Sequence, residues 1–137
     1  MNALTQYASP IGRLFISFIF IMAGITKITG YAGTVGYMES QGVPGALLPA
    51  VILTELGFGI LVLIGFKTRI AAFLLAGFTI LAALFFHTNF AEQMQQILFM
   101  KNIAIAGGLL FLVANGPGIL SIDNRQRSTP DNLATTA

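Results

Sequence analysis

The chain has 137 residues, of which 55% are hydrophobic and only 9% charged, with a formal net charge of +2; soluble domains carry about 25% charged residues, so this is the composition of a membrane protein. No cysteine is present, which excludes disulfide exchange, thiolate metal sites and thiol nucleophiles. The seven Lys and Arg stand singly along the chain, a pattern that suits lipid headgroups and argues against a nucleic-acid partner.

Taken in order, residues 10–28 form the first apolar span, with Arg13 near its start and Lys27 near its end. Pro10 suits the first turn of a helix, and Ser9 is placed to cap it. The rival reading, a cleaved signal peptide, lacks a basic region before Arg13 and a small-residue cleavage site. Residues 29–45 carry five glycines and Pro44, which argues against a long helix and leaves room for a short surface helix at 34–41. Tyr31 and Tyr37 suit the membrane interface. The second span, 46–65, is apolar almost throughout and holds one carboxylate, Glu55, near its midpoint.

The link 66–69 is so short that the second and third spans must be antiparallel neighbours. The third span, 70–87, ends at His87, the single histidine of the chain. Residues 88–100 read as a mixed loop with Glu92 and several glutamines; Phe90, Met94, Ile97 and Leu98 fall near helical spacing, so part of it suits an amphipathic turn at the interface. The fourth span, 101–120, opens at Lys101 and Asn102 and crosses only if the break Gly116-Pro117-Gly118 lies near the membrane surface. Residues 123–137 read as a polar, disordered tail. The expectation is an all-α polytopic membrane protein, an antiparallel bundle of four transmembrane helices over residues 1–122. Arg13, Lys67, Arg69, Arg125 and Arg127 fall on the side of the termini, against Lys27 and Lys101 on the other, which predicts cytoplasmic termini.

A carboxylate at mid-span costs about 2.5–3.5 kcal/mol to insert and needs a partner. Side chains tilt toward the N-terminus of their helix, so in this topology Glu55 and Lys101 lean outward while Lys27 and His87 lean inward. All four converge on the outer half of the bundle. Lys27 lies roughly 10 Å along its helix from that depth, a gap that a lysine and a glutamate nearly close. Ala72, Ala76, Thr79 and Ala83 make a small-residue stripe leading to His87, suited to close helix packing. Glu55 and His87 are the candidate proton-exchanging residues, and Lys27, Lys101 and Asn102 the candidate ligand-binding ones. The plainer reading is a structural ion pair and an interfacial histidine. Arg13, Arg69 and Asp123 form a second cluster, read as anchoring and topology. One histidine and one nearby glutamate are too few ligands for a metal, and no phosphate-binding loop is present. The 12 phenylalanines suit core filling, lipid contact or a quinone pocket alike.

Several blocks in order resemble the DoxX family of small bacterial membrane proteins: Gly12-Arg13-Leu14, Ala23-Gly24 with Lys27, Gly42-Val43-Pro44, Glu55-Leu56-Gly57, Thr68-Arg69, Phe86-His87, Lys101-Asn102, Gly107-Gly108-Leu109, and Gly116-Pro117-Gly118 with Ser121-Ile122-Asp123. The resemblance implies a four-helix inner-membrane protein and points to redox chemistry, since some relatives are named for a subunit of a thiosulfate:quinone oxidoreductase and others are associated with membrane oxidoreductase complexes. Without cysteine, a direct thiol mechanism does not carry over; electron transfer would need a soluble redox partner protein or a bound quinone. The leading expectation is a membrane subunit that binds a quinone in the outer half of the bundle, with Lys27 and Lys101 stabilising a developing oxyanion. The alternatives are a non-catalytic anchor or assembly factor and a small oligomeric permease. Four short helices enclose little volume, which makes a homodimer an expectation too.

Overall fold

The computed structural model describes residues 2–126. Of the tail expected to be disordered from residue 123, residues 123–126 continue a short helical turn that begins at residue 122, and the remainder, with Arg127, lies outside the described residues. Helix α1, Ala3–Thr29, is 27 residues long, seven residues longer at its start than Pro10 suggests. Asn2, not Ser9, caps it, its Oδ1 accepting from the Thr5 N–H at 3.0 Å. Pro10 is tolerated inside the helix because the carbonyl it leaves unpaired belongs to Gln6, in an exposed polar turn. A single residue, Gly30, joins α1 to the short helix α2, Tyr31–Ser40. The glycine-rich interval is therefore largely helical, but only for three turns.

Helix α3, Gly45–Ile64, begins with a tight turn after Pro44 and contains a π-helical turn over Leu53–Gly57, centred on Glu55. It stops at Gly65, whose φ of 71° lets Phe66 N–H return to the Leu61 carbonyl at 3.0 Å. A side chain there would be impossible for a second reason: a Cβ would stand 2.3 Å from that of Ser121. Helix α4 covers Thr68–Phe86, and helix α5 covers Gln93–Asn115. More than half of the expected loop 88–100 is thus the first part of α5, because its Gln, Met and Leu residues are good helix formers and hold one register through Lys101. The helix ends five residues earlier than expected. Gly116 takes φ 77° and Pro117 has no N–H to continue the ladder.

Among the described residues there are no strands, and α1, α3, α4 and α5 are each long and apolar enough to cross a membrane. The chain is an all-α, multi-pass membrane protein. Helices α1 and α3 run antiparallel and touch through glycines: a Cβ on Gly24 would meet the Leu56 Cβ at 3.0 Å, and one on Gly59 would meet the Phe20 Cβ at 3.2 Å. Such contacts let two backbones approach closely, the usual basis of packing where lipid supplies no hydrophobic drive between helices. On α4 the predicted stripe is buried, Ala72, Ala76, Thr79 and Ala83 all facing protein. Phe15, Phe18, Phe73 and Phe111 point outward, each more than 60% exposed, as expected of residues that face lipid.

Candidate functional site

The α1–α3 crossing sets the depth of the site. With Gly24 seated on Leu56, the next turn of α1 brings Lys27 level with Glu55, and Lys27 Nζ stands 2.8 Å from Glu55 Oε1. The side chain of Glu55 is only 5% exposed and that of Lys27 28%, so this is an ion pair at a cavity wall. No neutral donor reaches Glu55 Oε1.

The cavity beside the pair has a volume of about 780 Å³ and receives residues from all five helices. Its polar wall includes Lys27, Glu55, His87 and Asn102, with the hydroxyl residues Thr26, Thr34, Tyr37 and Thr79; its apolar wall includes Phe20, Phe78, Phe85 and Phe86. Asn102 Nδ2 donates to the Thr79 carbonyl at 3.3 Å, tying α5 to α4 at this depth. His87 closes α4 and stands at the rim, its Nδ1 3.1 Å from Gln95 Oε1. Tyr37 of α2 stacks on Phe86, ring centroids 5.6 Å apart, so the short helix forms part of the mouth. The arrangement offers an apolar chamber with one charged, hydrogen-bonding end.

Of the residues expected from sequence, Lys27, Glu55, His87 and Asn102 therefore border one cavity. Lys101 does not. It is exposed and absent from the lining, because adjacent residues of a helix point about 100° apart and Asn102 takes the inward position. Sequence reasoning missed Thr79 as a cavity residue, reading it as packing alone, and missed Tyr37, reading it as interfacial. It also gave no sign of the π turn at Glu55, a feature often found at functional positions.

At the other end of the bundle Arg13 is 2% exposed and uses all five of its N–H donors. Nη1 reaches the Val62 and Leu63 carbonyls (3.3 and 2.8 Å), Nε that of Pro117 (2.8 Å), and Nη2 those of Ile119 and Leu120 (3.0 and 2.9 Å). The guanidinium thereby joins the C-terminal end of α3, where the helix dipole is negative, to the segment after α5. Asp123 sits beside it and caps α4 from a distance in sequence, its Oδ1 and Oδ2 accepting from the Lys67 and Thr68 N–H groups at 2.8 and 2.9 Å. Arg69 is exposed and lies over Gly116, where a Cβ would stand 3.3 Å from its Nε. A polar groove of about 930 Å³, lined by Lys67, Arg69, Asn115 and Asp123 among others, opens here; although larger, it lacks the apolar walls of a small-molecule chamber.

Partial burial disfavours the Asp123 carboxylate, but the hydrogen bonds from Thr68 and Lys67 and the nearby charge of Arg13 outweigh it, and its pKa lies below the ordinary 3.8. The carboxylate's contribution to stability is therefore full above about pH 4 and is lost as the pH falls through the lowered folded-state value. Thermal unfolding in detergent across the acid range should show that loss in the wild type and not in Asp123→Asn; equal acid sensitivity of the two proteins would remove Asp123 as the cause.

The DoxX family model matches residues 9–88, the part of the chain that carries Arg13, Lys27, Glu55 and His87. Inner membrane protein YqjF of Escherichia coli K12 is 51% identical over 90% of this chain and 95% of its own length. Inner membrane protein YphA of the same organism is 39% identical over 84% of this chain and 87% of its own. CatD of Bacillus subtilis, whose name provisionally makes it an oxidoreductase, is 32% identical over 56% of this chain and 57% of its own. No solved structure gives a significant match. With a family model over more than half of its residues and relatives matched nearly end to end, the chain belongs to the DoxX family and is a multi-pass inner-membrane protein.

Proposed function

We propose that this protein is a membrane subunit of a quinone-linked redox system, binding a small lipophilic ring in the cavity beside Lys27 and Glu55. The observation that carries the reading is the buried ion pair at the polar end of an otherwise apolar chamber. A lysine ammonium has three donors, and the only acceptor within its reach among the described residues is Glu55. A ligand oxygen entering the cavity would complete that shell. The volume suits a ring of this class, and the phenylalanine wall suits its faces. The oxidoreductase designation in the name of CatD is in keeping with it.

A bound quinone would supply the electron and proton couple. The chain's own residues would hold the ring, exclude water, and place proton-accepting groups at one edge: Glu55 Oε1 at the buried end and His87 at the rim, with Lys27 opposing negative charge on a ligand oxygen. Lys101, being outside the cavity, takes no part. In the membrane the termini, Lys67 and Arg69 face the cytoplasm, following the excess of basic residues on that side, and the cavity opens in the outer half. Electrons would come from or go to a partner protein, since no thiol is available.

The test is to purify the wild type and Glu55→Gln in mild detergent and analyse the organic extract of each. Near-stoichiometric quinone in the wild type and its loss from the still-folded variant are expected. No quinone in either, with a less stable variant, would favour the second reading, an anchor in which the pair only fixes the α1–α3 register. That reading is supported by the glycine contacts that flank the pair.

A further inference from the structure

We infer that the cavity selects the reduced, hydroxyl-bearing form of its ligand over the oxidised, carbonyl form. This rests on the cavity being the ligand site proposed above. The donors and acceptors at its polar wall carry it: the hydroxyls of Thr26, Thr34 and Thr79 donate to carbonyls of the preceding helical turn, and that of Tyr37 serves a carbonyl or a hydroxyl alike. Glu55 Oε1 is buried beside Lys27 and receives no hydrogen bond from any neutral group. Asn102 turns its NH2 to the Thr79 carbonyl, so its own oxygen is left as a second acceptor at the wall. The one cation, Lys27, has donors to spare.

A carbonyl oxygen brings lone pairs only. It can accept from Lys27, but it then sets its lone pairs against those of Glu55 and offers the buried carboxylate no donor beyond Lys27, the less favourable arrangement in a water-poor site. A hydroxyl oxygen meets both needs: its O–H donates to Glu55 while its lone pair accepts from Lys27. One oxygen closes a triangle with the ion pair, and a second hydroxyl elsewhere on the ring has Asn102 as a further acceptor. A hydrogen bond to an ionised carboxylate is worth about a tenfold difference in affinity or more. Tighter binding of the reduced form raises the two-electron potential of the bound ligand, by about 30 mV for each tenfold of preference.

The probes are duroquinone, duroquinol and duroquinol dimethyl ether, which share a ring and differ in the groups at its edge. Their binding to the full-length protein in lipid nanodiscs is measured anaerobically by equilibrium dialysis. The quinol is expected to bind about tenfold tighter, or more, than both the quinone and the ether. In the double variant Lys27→Met/Glu55→Leu, which replaces the pair by apolar groups of similar size and so leaves no lone buried charge, the three affinities should converge. If the three probes bind the wild type equally, or the quinone binds best, the preference is overturned while the cavity stands as a ligand site. Should none of them bind, the ligand-site reading falls and the preference with it. A preference that persists in the double variant would also overturn the assignment, since it would then originate elsewhere than at Lys27 and Glu55.

Discussion

Arg13→Met should destabilise the folded protein by about 3–5 kcal/mol, the usual consequence of breaking a buried, fully hydrogen-bonded charge interaction. Five carbonyls, two on α3 and three after α5, lose their only shared donor group. Methionine fills much of the space but offers nothing to accept from. Arg13→Lys is expected to recover little, because an ammonium has three donors at one point where the guanidinium spreads five over a plane. Equilibrium unfolding in mixed micelles measures both variants. A change of less than about 0.5 kcal/mol, within the range of an ordinary surface substitution, would show that the carbonyls find other partners and that Arg13 is not the clamp described.

The second large effect concerns the ion pair and takes the form of a cycle. Glu55→Leu alone leaves the Lys27 ammonium at the wall of an apolar chamber without a counter-charge and is expected to cost about 3 kcal/mol, toward the lower end for a broken buried pair because Lys27 is 28% exposed. Adding Lys27→Met should restore most of that stability, since apolar groups of similar volume commonly replace a buried pair at no loss. A coupling of at least about 2 kcal/mol between the two substitutions is the expected outcome of the cycle. Additive effects would mean that the two side chains do not depend on each other in the membrane. Stability and ligand content separate the two functional readings here: an anchor needs only a well-packed α1–α3 crossing, which the double variant keeps, whereas a ligand site needs the charges themselves.

These effects differ from that of Asp123 in how far water can make good the loss. Asp123 is partly exposed, and its carboxylate caps α4 by way of the Lys67 and Thr68 N–H groups. Arg13 and Glu55 are almost fully buried, so water does not replace a partner removed from either, and the size of the effect follows burial.

Much of the architecture was legible in the chain itself. Hydropathy places four spans, because each must be apolar over roughly the thickness of a bilayer, and the short link between Gly65 and Thr68 makes α3 and α4 antiparallel. The cost of a carboxylate at mid-span singles out Glu55 and demands a cation, and the tilt of side chains toward the helix N-terminus brings both Lys27 and Lys101 toward it; the structure makes Lys27 the partner, at 2.8 Å. Those inferences rest on local sequence and on a solvent that penalises every unpaired charge. Helix ends were less well marked: Pro10 and the glutamines of residues 93–96 read as boundaries, yet a cap at Asn2 and a continuous helical register carry α1 and α5 past them. Only the tertiary structure decided which of two adjacent residues, Lys101 or Asn102, faces the cavity, since that depends on the rotation of α5 about its own axis against α4. It alone showed that Arg13 spans α3 and the segment after α5, a contact between residues about a hundred positions apart, and that α2 closes the mouth through Tyr37 and Phe86. A sequence states which groups must be satisfied, because burial energies are local; which partner satisfies them depends on helix rotation and close approach, and these are set by packing across the whole bundle.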